Sequence, residues 1–95
     1  MLRGGNRNKL DICANIMQVV EMYGRVRITK LSYGVGVPID RLKPMVSELC
    51  ALGLLRMEVA EEETSFGATS RGLEFLDAYR KMKSYLEMMD PENAS

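Results

Sequence analysis

The sequence predicts a small α+β fold that is mainly helical: three short helices, a β-hairpin and a long final helix. Three observations predict it. Apolar side chains recur every three or four residues over 8–23, 40–52 and 70–89, the period of a helix with one buried stripe. Residues 54–68 instead hold two short runs around Glu61-Glu62-Glu63, the pattern of two strands joined by a turn. The chain has 95 residues, 46% of them apolar, so it makes one domain with a core.

The elements follow in order. Residues 1–7 begin Gly- and Asn-rich and are expected to be a flexible lead-in. In the first helix Leu10, Cys13, Ile16, Met17 and Val20 share one face, Asn15, Gln18 and Glu21 face away, and Gly24 stops it. Arg25-Val26-Arg27 reads as a connector. Thr29 to Val35 reads as a shorter helix with Leu31 inward, ended by Gly34 and Gly36, and Val37-Pro38 as extended chain. On that helix Tyr33 is expected to pack its ring and leave its hydroxyl at the surface.

The third helix is expected from about Asp40, its N-cap, to Leu52. It buries Leu42, Met45, Val46 and Leu49 and leaves Arg41, Lys43, Pro44, Ser47 and Glu48 on the open side. A proline suits only the first turn of a helix, so Pro44 predicts a distorted entry. Gly53 ends this helix. The hairpin follows, with a turn that lacks Asn-Gly or Asp-Gly, so its form is not set by sequence. Thr69 caps the last helix, and Asp90-Pro91 ends it before a disordered tail over 90–95. The expected layout is thus a body over 8–69 and a distinct helical arm over 70–89.

That arm is ~30 Å long at 1.5 Å per residue, more than so small a body covers. Phe75, Tyr79, Met82, Leu86 and Met89 are spaced 4, 3, 4, 3, as in a coiled coil. Leu73 and Leu76 lie beside that row, where they can seal the domain's own core. An exposed apolar row on a monomer is unusual, and a small domain gains from added buried area. Pairing of two copies through this row is therefore expected. The alternative is that the row folds back on the first helix of its own chain.

Net charge is zero, with 13 basic and 13 acidic residues, which by itself argues against a strong binder of polyanions. The distribution is lopsided. Residues 1–56 hold nine Lys/Arg and four Asp/Glu, a balance of +5, and residues 57–95 hold four and nine, a balance of −5. One half can present a basic face while the other stays acidic.

Three helices, a hairpin and a helix is the order of a winged helix-turn-helix, whose third helix offers a polar side to the major groove. Particular residues sharpen this. Asn6-Arg7-Asn8-Lys9-Leu10-Asp11-Ile12-Cys13-Ala14-Asn15-Ile16-Met17 resembles the opening helix of the archaeal winged-helix DNA-binding regulators, which include the small ten-kilodalton archaeal chromatin proteins. Thr29-Lys30-Leu31-Ser32-Tyr33-Gly34-Val35 resembles that family's second helix. Leu49-Cys50-Ala51-Leu52-Gly53-Leu54-Leu55 resembles the end of its recognition helix. Thr69-Ser70-Arg71-Gly72-Leu73-Glu74-Phe75-Leu76 resembles its Thr-x-x-Gly opening of the final helix. The likeness spans roughly residues 6–86. It implies a winged helix, a homodimer through an antiparallel coiled coil of the last helices, and binding of double-stranded DNA. Two departures stand out: Glu61-Glu62-Glu63 in the wing would repel phosphates, and Asp40 and Pro44 disturb the entry of the reading helix.

The candidate DNA contacts are Arg7, Arg25, Arg27, Lys30, Arg41, Lys43 and Ser47. Phosphates need Lys and Arg on one face, and Arg41, Lys43 and Ser47 are placed to reach base edges. Lys9, at the opening of the first helix, joins the basic set. Thr64 and Ser65 could donate to phosphate from the wing, against its acidic turn. Singly, each cation reads as a solvated charge; the grouping carries the expectation. The rival is a winged-helix module that binds another protein and no DNA, which zero net charge and an acidic wing would suit.

Other classes lack material. There is no histidine, and neither Cys13 nor Cys50 sits in a ligand pattern, so no zinc or other metal site, no cofactor and no enzyme activity are expected. Both cysteines read as reduced residues on apolar faces, with a disulfide as the alternative. No apolar run approaches the roughly 20 residues of a membrane span. The start lacks an apolar signal region, so a cytoplasmic, nucleoid-associated protein is expected.

Overall fold

The computed structural model describes residues 7–89. The expectations for residues 1–6 and 90–95, including the Asp90-Pro91 stop, lie outside the described residues. The element order is α1 (Lys9–Tyr23), β1 (Arg25–Val26), α2 (Ile28–Val35), α3 (Ile39–Ala51), β2 (Leu55–Ala60), β3 (Glu63–Ala68) and α4 (Ser70–Met89). This is the expected winged helix-turn-helix with a long C-terminal helix.

α1 begins with a capping box. The Asn8 side chain accepts from the Asp11 amide at 2.8 Å, and the Asp11 carboxylate accepts from the Asn8 amide. α1 is the central helix and touches α2, α4, β1 and β3. It therefore buries a wide face, Ile12, Ala14, Ile16, Met17 and Val20. Leu10, read as part of the stripe, lies exposed, and Cys13 is half-buried.

Arg25-Val26 is a strand and not a connector. It pairs antiparallel with β3, Arg25 opposite Gly67 and Val26 opposite Phe66, so the sheet order is β1-β3-β2. Two residues carry too little pattern to reveal a strand. In α2, Gly36 is the C-cap at φ 77°, while Gly34 stays inside the helix with Val19 packed against it. Tyr33 is 93% exposed, so the expected packing of its ring does not occur.

α3 starts one residue early. Pro38 is its N-cap and Asp40 lies in the first turn, where its charge favours the helix dipole. Pro44 stands inside a helix that runs unbroken to Ala51. Its missing N–H leaves only the Asp40 carbonyl without an intrahelical partner, at an exposed position near the helix start. The end is a Schellman motif: the Leu54 amide donates to Leu49 O at 2.9 Å and the Gly53 amide to Cys50 O at 3.0 Å, with Gly53 at φ 80°.

The wing turn is two residues long. Glu61 and Glu62 both take positive φ, 52° and 67°, the geometry whose twist suits a hairpin and normally recruits Asn and Gly. Alternation sends Leu55, Met57, Val59, Thr64, Phe66 and Ala68 to one face of the hairpin, and Arg56, Glu58, Glu63 and Ser65 to the other.

Thr69 closes the body. Its hydroxyl donates to the Gly53 and Leu54 carbonyls and accepts from the Gly72 amide at 3.0 Å, so one side chain joins α3's exit to α4's entry. Leu76 and Tyr79 bury against α1, and Phe75 is half-buried. Leu73, expected to help seal the core, is largely exposed. From Arg80 to Met89 every residue of α4 is exposed. The arm leaves the body and gives the chain its elongated extents, 50 × 26 × 21 Å.

Candidate nucleic-acid interface

The turn from β1 into α2 gathers three of the predicted cations. Arg25, Arg27 and Lys30 line one polar concavity with Thr29, and the wing closes it with Ala60, Glu63 and Ser65. β1 holds the first, its pairing to β3 fixing the Arg25 backbone beside the wing, and Arg27 follows directly after the strand. Arg27 is the N-cap of α2 and makes no side-chain cap bond, so the first-turn amides of α2 point outward unsatisfied. Helix dipole and side-chain charge thus favour an anion at the same place. Thr29 was not among the sequence candidates. The exposed Tyr33 lies one turn further along the same face of α2.

Carboxylates hold the two arginines at present. Arg25 pairs with Glu58 at 3.0 Å and Arg27 with Glu63 at 3.1 Å. Arg56 adds a bond to Glu58 at 2.8 Å. That bond first, and then the Arg25 charge, keep Glu58 below the ordinary range of its kind. Both pairs are open to solvent, which screens them, so they hold the arginines only weakly. A phosphate bearing a full charge can replace either partner. Lys30 lies over the Tyr23 ring, 3.9 Å from its centroid.

α3 brings a second set. Arg41, Lys43 and Ser47 are exposed on its open side, as expected. Among the described residues Arg41 and Lys43 make no ion pair. Lys43 and Ser47 face the inner side of the wing across a groove that also holds Thr64. Thr64 lines this groove from the inner face of the wing and Ser65 lines the α2 concavity from the other face, so β3 stands between the two.

Arg7 is placed elsewhere. It donates to the Val35 carbonyl at 2.9 Å and to Asn15 Oδ1 at 2.8 Å, clamping the far end of α2 to α1. That end is ~12 Å from the α2 entry, eight residues at 1.5 Å each. Lys9 pairs with Glu48 at 2.9 Å. The structure thus joins Arg25, Arg27 and Lys30, sets Lys43 and Ser47 together in a separate groove on the other face of the wing, and leaves Arg7 apart.

The coiled-coil row divides in the same way. Phe75 and Tyr79 belong to the body, Tyr79 being 7% exposed. Met82, Leu86 and Met89 are 46%, 57% and 77% exposed on the free arm, with Tyr85 and Met88 beside them.

A three-helix body with a hairpin wing and a long final helix defines a winged helix-turn-helix protein. The family model described as winged helix-turn-helix matches residues 6–88, and the chain belongs to that family. No curated protein matches it. Among solved structures it is similar to Sso10a-2, a DNA-binding protein from Sulfolobus solfataricus, at 18% identity over 93% of this chain and 94% of that one, with a TM-score of 0.75. It is also similar to the transcriptional regulator BldR from Sulfolobus solfataricus, at 17% identity over 82% of this chain and 58% of that one, TM-score 0.69. A MarR-family regulator from Silicibacter pomeroyi gives 20% identity over 82% and 55%, TM-score 0.70. Among the described residues no helix is long and apolar enough to cross a membrane.

Proposed function

We propose that the chain binds double-stranded DNA as a homodimer and serves as a transcriptional regulator or chromatin-associated protein of the archaeal type. The observation that carries this reading is the convergence of Arg25, Arg27 and Lys30 on the unsatisfied entry of α2. A phosphate seated there receives helix amides and cations together, the arrangement that positions a protein on a duplex. α3 then lies along the groove with Arg41, Lys43 and Ser47 toward the bases. The DNA-binding description of Sso10a-2 and the regulator descriptions of the other neighbours favour the same reading. The body 8–69 would hold the DNA and the arm 70–89 would pair two copies in an antiparallel coiled coil through Met82, Leu86 and Met89. No catalytic step, cofactor or metal enters this function, and a nucleoid location follows from it.

A duplex labelled for fluorescence anisotropy, titrated at about 50 mM salt and again at about 200 mM, tests the proposal. Binding that weakens steeply with salt is expected. The ion pairs that occupy Arg25 and Arg27 favour a second reading, a protein-interaction module; no binding at tens of micromolar protein would establish that reading instead.

A further inference from the structure

The aromatic residues of the body divide sharply. Phe66 and Tyr79 are buried and Phe75 is half-buried against the core. Tyr85 belongs to the arm. The other two, Tyr23 and Tyr33, are 53% and 93% exposed. Both flank Lys30. The Lys30 ammonium lies over the Tyr23 ring, 3.9 Å from its centroid. Tyr33 follows three residues along α2, a spacing that sets Cβ atoms about 5–6 Å apart. Arg27 stands at the entry of the same helix and lines one concavity with Lys30. Ring, cation and ring thus form one exposed row, with a second cation at its end.

Packing does not account for the two rings. Among the described residues the Tyr79 hydroxyl is the only tyrosine hydroxyl in a hydrogen bond. Carboxylates do not claim the row either. α2 carries none. Glu21, the acid closest to Tyr23 along α1, is engaged by Arg80 at 2.9 Å. A duplex gives such rings little to meet, because its base faces are stacked on one another and a protein reaches phosphates, sugars and groove edges. In a single strand the base faces are free, and aromatic rings set beside cations are what holds them.

We infer that this face of α1 and α2 binds single-stranded DNA. Tyr23 and Tyr33 each stack an unpaired base, while Lys30 and Arg27 hold the phosphates. The polymer is DNA because the same two cations form the seat proposed above for the duplex, and in this respect the inference rests on that reading. The rings add what the duplex does not use, so a strand that opens can stay on the seat that held it paired.

The probe is a labelled oligothymidylate of about 16 nucleotides, long enough to span a site of the usual size. It is compared by anisotropy with a duplex of equal length, both at about 50 mM salt. The expected result is saturable binding of the single strand. The ratio of single-strand to duplex affinity should fall at least fivefold in Tyr23→Leu and in Tyr33→Leu, the lower end of what one stacked base contributes. It should stay within twofold of wild type in Tyr23→Phe and Tyr33→Phe, which keep the rings. The chain has no tryptophan, so tyrosine emission gives a second readout: oligothymidylate should quench it, and less so in the double Leu variant. Both side chains are largely exposed, so the variants are expected to keep the wild-type circular dichroism. An unchanged ratio in the Leu variants, or an equal loss in the Phe variants, would overturn the proposal. Tighter binding of oligouridylate would reassign the face to RNA, and loss of self-association in the Leu variants would reassign it to a second copy. Duplex binding without single-strand binding would refute this inference alone. Ring-dependent single-strand binding without duplex binding would refute the duplex reading and leave the stacking face standing.

Discussion

The Tyr79 hydroxyl donates to Asp11 Oδ1 at 2.6 Å and ties the arm to the first turn of α1. The same carboxylate also completes the α1 capping box. Burial first, then the Asp11 bond, push the Tyr79 phenol up to about 12. The Tyr79 bond, above all, holds the Asp11 carboxyl below its ordinary value. The two groups therefore act at opposite ends of the pH scale. The contribution of Tyr79 is complete below its unfolded value near 10 and is lost as pH rises through about 12. That of Asp11 is present above its ordinary value of 3.8 and is lost as pH falls below it.

Tyr79→Phe should therefore cost about 1 kcal/mol at neutral pH, the net worth of one hydrogen bond. It should also remove the fall in stability between about pH 10 and 12. Urea unfolding at neutral and alkaline pH checks both; an unchanged alkaline limb would place that titration on another group.

Gly72 separates a packing requirement from a backbone one. A Cβ there would drive into the Leu54 carbonyl oxygen and come within 2.6 Å of Met17 Cε. Gly72→Ala should cost at least about 3 kcal/mol, toward the upper end for overpacking. Gly24 has φ 83° and nothing within 4 Å of a built Cβ, so Gly24→Ala should cost only about 1 kcal/mol of backbone strain. Thermal or urea unfolding of the two variants gives the comparison.

Glu61 and Glu62 hold a conformation that suits Asn and Gly better. The double substitution Glu61→Asn with Glu62→Gly should stabilise the protein by about 1–2 kcal/mol through relief of positive-φ strain. A higher urea midpoint at unchanged slope is the expected observation.

Met82 stands on the arm after the last buried residue, Tyr79. Met82→Lys places a charge in the paired row and should give monomers by light scattering, with the body's fold intact. A variant that remains dimeric would move the pairing surface elsewhere.

Much of the fold was legible because helices announce themselves by period and by caps. The α4 start follows from Thr69, and the α3 exit follows from Gly53. β1 was not legible: two residues show no alternation, and only the partner strand makes Arg25-Val26 a strand. Leu10 misled because α1 is covered on several sides, so its buried face is set by neighbours and not by a single stripe. The site was legible as residue types and not as a grouping. Arg7 resembles the other cations in sequence, yet the Val35 carbonyl claims it; Thr29 and Tyr33 gave no charge signal at all.

The central claim is that phosphates sit at the entry of α2. Its most direct test is the salt dependence of duplex binding by wild type, by Arg27→Gln/Lys30→Gln, and by Arg7→Gln. Each lost phosphate contact lowers the log–log salt slope by about one. The double variant should lose about two units for every subunit engaged, and Arg7→Gln should keep the wild-type slope. A double variant with the wild-type slope, or a slope lost only in Arg7→Gln, would contradict the account.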